Sequence, residues 1–103
     1  MTIHRQAARR DANEPAIVET LKRAGARVRR ISTPCDLLVV YRGRMATIEV
    51  KDGTLAPSDR RETKGEVEWA KDCAAMGAPH YVVTSVDGAL AALAALAQGR
   101  LTT

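Results

Sequence analysis

Two strand-forming runs, Asp36-Leu37-Leu38-Val39-Val40-Tyr41 and Met45-Ala46-Thr47-Ile48-Glu49-Val50-Lys51, are separated only by Arg42-Gly43-Arg44. A break that short makes them the two arms of one hairpin. With Arg42-Gly43 as the turn, Tyr41 faces Arg44, Val39 faces Ala46 and Asp36 faces Glu49. With Gly43-Arg44 as the turn, Asp36 faces Lys51. Side chains alternate with period two, so either register leaves Asp36, Glu49 and Lys51 on one face. The other face holds Leu37, Val39, Tyr41, Ala46, Ile48 and Val50 and is wholly apolar. The charged face also carries Leu38, Val40 and Met45. Both faces therefore want cover, which predicts central strands between helical layers.

The remaining elements follow from breakers and periodicity. A polar, basic arm over 1–12, containing Arg5, Arg9 and Arg10, is expected to be flexible and to precede a single domain over 13–103. A first helix opens at Asn13 or Glu14, with Pro15 in its first turn and an apolar stripe of Ile17, Val18, Leu21 and Ala24. Gly25 ends it. Arg27 to Ile31 reads as an edge strand, broken by Ser32-Thr33-Pro34. After the hairpin, 52–62 is a long loop containing Gly53, Pro57, Ser58, Arg60 and Arg61. A second helix runs from Thr63 or Lys64 to Met76 and stops at Gly77 and Pro79. His80 to Thr84 is a short strand, and Ser85 caps a third helix through Val86, Leu90, Leu93 and Leu96. The order is α-β-β-β-α-β-α, an α/β domain with a small mixed sheet flanked by helices.

At 103 residues the chain suits one domain with a modest core. No apolar run approaches the ~20 residues of a membrane span, and the basic N-terminus lacks the apolar stretch of a secretory signal. Residues 1–61 hold 13 Lys/Arg against 7 Asp/Glu, and residues 62–103 hold 3 against 5. A basic half suits a polyphosphate partner. Arg5, Arg9, Arg10, Arg42, Arg44, Arg60 and Arg61 are the cations that can track phosphates, or else plain solvated charge. Two cysteines, Cys35 and Cys73, without Cys-x-x-Cys spacing, argue for reduced thiols in cytoplasm rather than zinc or disulfides. Only three aromatic residues are present, too few for a single-strand stacking platform.

Two carboxylates brought side by side repel each other, and a divalent cation between them removes the repulsion. A lysine beside such a cation can position or activate a water, the machinery of metal-dependent phosphodiester hydrolysis. Glu14 falls in register with Ile17, Val18 and Leu21, so it belongs to the buried stripe. It either points at the same site or interacts with the helix dipole. Thr63-x-x-Glu66 is a capping box, and Glu66 is both a cap and a site candidate.

Pro34-Cys35-Asp36, followed after the hairpin by Glu49-Val50-Lys51, resembles the PD-(D/E)XK nuclease signature. The element order resembles that superfamily's restriction-endonuclease-like αβββαβ core. Within it the chain looks like VRR-NUC domains and Holliday junction resolvases over roughly residues 13–98, through Glu14, Asp36, Glu49-Val50-Lys51 and Thr63-x-x-Glu66-x-x-Trp69. Members often carry Gln where this chain has Glu66. The resemblance implies a Mg²⁺- or Mn²⁺-dependent endodeoxyribonuclease. Asp36, Glu49 and the Val50 carbonyl would hold metal, Glu14 would bind it directly or through water, and Lys51 would act on the water or the phosphate. It further implies a branched DNA substrate, a four-way junction cut by a homodimer. The Ala89 to Ala97 helix and the surface around Trp69 are the candidate contacts. The short domain suggests a phage or prophage gene. A flap, nick or duplex nuclease, or a DNA-binding module without turnover, are the alternatives.

Overall fold

A computed structural model describes residues 11–56 and 62–103. The elements are α1 (Glu14–Arg23), β1 (Arg27–Arg30), β2 (Leu37–Tyr41), β3 (Arg44–Val50), α2 (Lys64–Met76), β4 (His80–Val83) and α3 (Val86–Ala97). They form the expected α/β arrangement, with one four-stranded sheet in the order β1-β2-β3-β4. The first three strands are antiparallel neighbours, whereas β4 runs parallel to β3. A parallel neighbour needs a crossover, and α2 lies within it.

Arg42 and Gly43 both take positive φ, 50° and 79°, the type I′ geometry whose twist matches a hairpin. The register is therefore the first of the two the sequence allows: Tyr41 opposite Arg44, Val39 opposite Ala46 and Leu37 opposite Ile48. Asp36 and Lys51 lie one residue beyond their strands. Each still holds the sheet through its backbone: Ile31 N donates to Asp36 O at 2.8 Å and Lys51 N to Val83 O at 3.0 Å.

The face carrying Leu37, Val39, Ala46, Ile48 and Val50 packs with Tyr81 and Val83 of β4 beneath α1 and α3. Ile17, Val18 and Leu21 of α1 close it from above, as their spacing predicts. On α3 the buried side is Ala89, Ala92, Leu93, Ala95 and Leu96, while Val86 and Leu90 are exposed. The alanines let α3 approach α1 and the sheet closely, so the surface expected to be a subunit contact is largely spent on the chain's own core.

The second face is covered only in part, a correction to the expectation that both faces are covered. Helix α2 turns Glu66, Trp69, Ala70 and Cys73 towards it, at helical spacing, and Trp69 Nε1 donates to Thr47 Oγ1 at 3.0 Å. Trp69 thus braces the helix on β3. Val40, Met45 and Val82 remain 41%, 55% and 52% exposed, because α2 spans only the β3–β4 half. Cys35 and Cys73 are buried free thiols. Among the described residues no helix is long and apolar enough to cross a membrane.

If α3 is anchored by its alanine side, Leu96→Ala should cost about 2–5 kcal/mol. Leu90→Ala should cost under about 1 kcal/mol. Urea denaturation of both variants measures the contrast, and equal costs would reverse the assigned faces.

Candidate active site

The hairpin register brings the start of β2 and the end of β3 to one end of the sheet. Asp36 stands there beside the Glu49–Lys51 run, and its Oδ2 accepts from Val50 N at 2.7 Å. Glu49 is wholly buried. Lys51 Nζ is 3.5 Å from Glu49 Oε2 and 3.0 Å from Glu66 Oε1. The same Glu66 oxygen accepts from Thr63 N at 3.0 Å, and Glu66 N donates to Thr63 Oγ1 at 3.1 Å. Cap and site are thus one arrangement: the capping box aims Glu66 at Lys51.

Glu14 reaches this end of the sheet from the opposite face. It is buried, as its place in the stripe predicts, and its Oε2 lies 3.3 Å from Arg30 Nε. Arg30 pairs with Leu37 and so belongs to the core face. Asn13 does not cap α1 with its side chain. Its Nδ2 donates instead to Lys51 O at 2.9 Å and Thr84 O at 3.1 Å, which ties the helix start to the ends of β3 and β4.

Several members of the cluster were not legible as site residues. Asp11, assigned to the arm, is half-buried and feels Lys51, Asp36 and Glu66. The Glu62 carboxylate faces Glu49. His80 sits opposite Thr47 across the parallel pair, with Nδ1 2.7 Å from Thr47 Oγ1 and Nε2 3.9 Å from Glu49 Oε1. Only the β3–β4 pairing makes this contact, and no sequence spacing announces it.

Charge is unevenly balanced here. Burial pushes the Glu49 carboxyl up to about 7, and Glu66 and Glu62 add to the shift while Lys51 opposes it. Burial alone would lower Lys51, but the Glu66 hydrogen bond and the charges of Glu49, Glu66 and Asp36 raise it overall. The ammonium therefore stays protonated at neutral pH. Burial lowers His80, against the pull of Glu66 and Glu62.

The arginines divide by position. Arg42 and Arg44 flank the hairpin tip, and the five residues of β2 separate them from Asp36, about 17 Å at ~3.4 Å per residue. Arg42 lies over the Tyr41 ring at 5.3 Å, and Arg44 lies against Gly99 after α3. Neither is beside the carboxylates. Arg5, Arg9, Arg10, Arg60 and Arg61 lie outside the described residues. Arg29 instead shares the charged face, one strand pair from Asp36, and Arg27 follows it along the edge strand.

Among the described residues, no three His, Cys, Asp or Glu side chains are gathered into a metal centre. Glu14 faces Arg30, and one Asp36 oxygen is engaged by Val50 N. The residues expected to hold metal are thus divided between two faces, Asp36 and Glu49 on the charged face and Glu14 beside Arg30 on the other. Glu49 nevertheless fits a cation: both its buried oxygens meet no hydrogen-bond partner, since Glu62 could bond it only through a shared proton. A buried carboxylate without donors is costly unless a cation or proton compensates it. Comparison with family models, curated proteins and solved structures finds no match to this chain.

A carboxyl raised from 4.5 to about 7 binds its proton more tightly when folded. Its stabilising contribution is full below pH 4.5 and is lost as pH rises through 7. Metal-free protein should therefore lose on the order of 2 kcal/mol across that window relative to Glu49→Gln. Urea denaturation of both proteins in EDTA between pH 4.5 and 8 measures the difference. Parallel curves would show that Glu49 is not strained.

Proposed function

We propose that the chain is a metal-dependent endodeoxyribonuclease of the PD-(D/E)XK type, acting on branched DNA. The observation that carries this reading is the convergence of Asp36, Glu49 and Lys51 at one end of the sheet around a buried carboxylate without hydrogen-bond donors. The order α1-β1-β2-β3-α2-β4 resembles the superfamily's αβββαβ core.

Asp36, Glu49 and the Val50 carbonyl are the residues to hold Mg²⁺ or Mn²⁺, as hard oxygen ligands. The bound ion supplies Lewis acidity and a water nucleophile. The Val50 N–H fixes one Asp36 oxygen. Lys51, kept protonated by its neighbours, acts as a donor to the water or to a phosphate oxygen rather than as a base. Glu66 positions Lys51. Glu14, joined to Arg30, contributes through that pair or through water. Arg29 and Arg27 on the charged face are placed for the phosphate backbone near the site, and Arg42 and Arg44 for a more distant stretch. A four-way junction needs two incisions, which a two-fold homodimer supplies. The exposed Val40 and Met45 of the hairpin are the better contact, given that α3 is spent on the core.

With Mg²⁺ or Mn²⁺ the protein should cut a synthetic four-way junction in preference to linear duplex, and EDTA should stop it. Asp36→Asn, Glu49→Gln and Lys51→Ala should each lower the rate by roughly 100-fold or more, the scale of losing a charge-stabilising group. DNA binding should survive in all three. Sedimentation with and without junction reads the dimer. Full activity in the Asp36 or Glu49 variant would sink the nuclease reading. Binding without cutting in either metal would leave a DNA-binding module, and preference for flaps or duplex would remove the junction alone.

A further inference from the structure

Glu49 has a second side. Its Oε2 faces Lys51, while Oε1 faces His80 Nε2 at 3.9 Å. That separation is too long for a hydrogen bond. The His80 side chain is 6% exposed, and its Nε2 is buried without a partner, as are both oxygens of Glu49. Three orphaned atoms on two buried side chains thus converge on one place, and Glu62 and Glu66 bring further negative charge to it.

We propose that Glu49 and His80 form a mixed nitrogen–oxygen site for a divalent transition-metal ion on the β4 side of Glu49. An ion there would satisfy Glu49 Oε1 and His80 Nε2 together, which the ammonium of Lys51, on the Oε2 side, does not. The other ring nitrogen is already held: Nδ1 lies 2.7 Å from Thr47 Oγ1. A hydroxyl has two lone pairs and one proton. Thr47 Oγ1 accepts from Trp69 Nε1, and its second lone pair is placed to accept from His80 Nδ1–H. With the proton on Nδ1, the His80 Nε2 lone pair points at Glu49. Orientation of a ligating imidazole by a hydrogen bond at its other nitrogen is how metal-binding histidines are held.

Imidazole nitrogen suits Mn²⁺, Co²⁺ or Zn²⁺ better than Mg²⁺, which demands oxygen. The site rests on the cation-binding part of the reading above and is independent of cleavage. Asp36 lies on the β2 side of Glu49 and is not part of it.

Pulsed EPR of the full chain with Mn²⁺ alone tests the assignment. Directly coordinated imidazole nitrogen should appear in the wild type, persist in Asp36→Asn and vanish in His80→Gln. Mn²⁺ affinity should fall roughly 10- to 100-fold in His80→Gln, with Mg²⁺ affinity little changed. His4 is the chain's other imidazole, so His4→Gln should keep the signal. Should His80→Gln fail to fold, ¹⁵N shifts of the metal-free wild type at pH 8 decide instead. Protonated Nδ1 with a bare Nε2 that moves on adding Zn²⁺ supports the site, and an Nε2–H tautomer unmoved by Zn²⁺ overturns it. Mn²⁺ bound without imidazole nitrogen also overturns it. Mg²⁺-dependent cutting alongside that result would leave the nuclease reading standing, and an imidazole signal without any cutting would do the reverse.

Discussion

A two-residue turn with both residues at positive φ sets the register of β2 against β3, and every later feature of the site inherits it. Because side chains alternate with period two, a slip of one residue would carry Glu49 and Lys51 into the layer of Ile17, Leu21 and Leu96. It would put Ile48 and Val50 among the carboxylates. The apolar layer forbids that slip, since Leu37, Val39, Ile48 and Val50 are all essentially buried. The core therefore holds the charges in place without touching them.

The parallel pairing of β4 with β3 does the second part. It places His80 opposite Thr47 and Val82 opposite Glu49. The crossover that permits this pairing contains α2, which lays Glu66, Trp69 and Cys73 over the charged face. Trp69, Thr47 and His80 form one hydrogen-bonded chain across helix, strand and strand. Coverage stops there, and the hairpin's Val40 and Met45 stay open to solvent or to a partner.

Electrostatics then follows from burial. Asp11, Asp36, Glu49 and Glu66 lie around the Lys51 ammonium, and Glu62 adds negative charge beside Glu49. Lys51 cannot satisfy them all, and the surplus falls on Glu49, the member with the least access to water. Its carboxyl is raised for that reason, while Glu66 is held by both the helix cap and Lys51. An excess of buried carboxylate beside a protonated lysine suits a divalent cation and a phosphate.

Local chemistry was legible from residue order alone. Turn residues, caps and periodicity marked the hairpin, the Thr63–Glu66 box, the Ser85 cap and the α1 stripe, because each is decided by neighbours within a few residues. Asp36, Glu49 and Lys51 were legible as one group because a hairpin is itself local. Tertiary structure alone decided what lies beyond that reach. It set Glu14 against Arg30, put Arg42 and Arg44 at the far end from the carboxylates, and buried the alanine side of α3. It also brought His80 and Glu62 to Glu49, and Asp11 towards Lys51. Those contacts join residues many positions apart through a parallel pairing and a helix crossover. No short-range pattern encodes them, because their geometry exists only once the sheet order is complete.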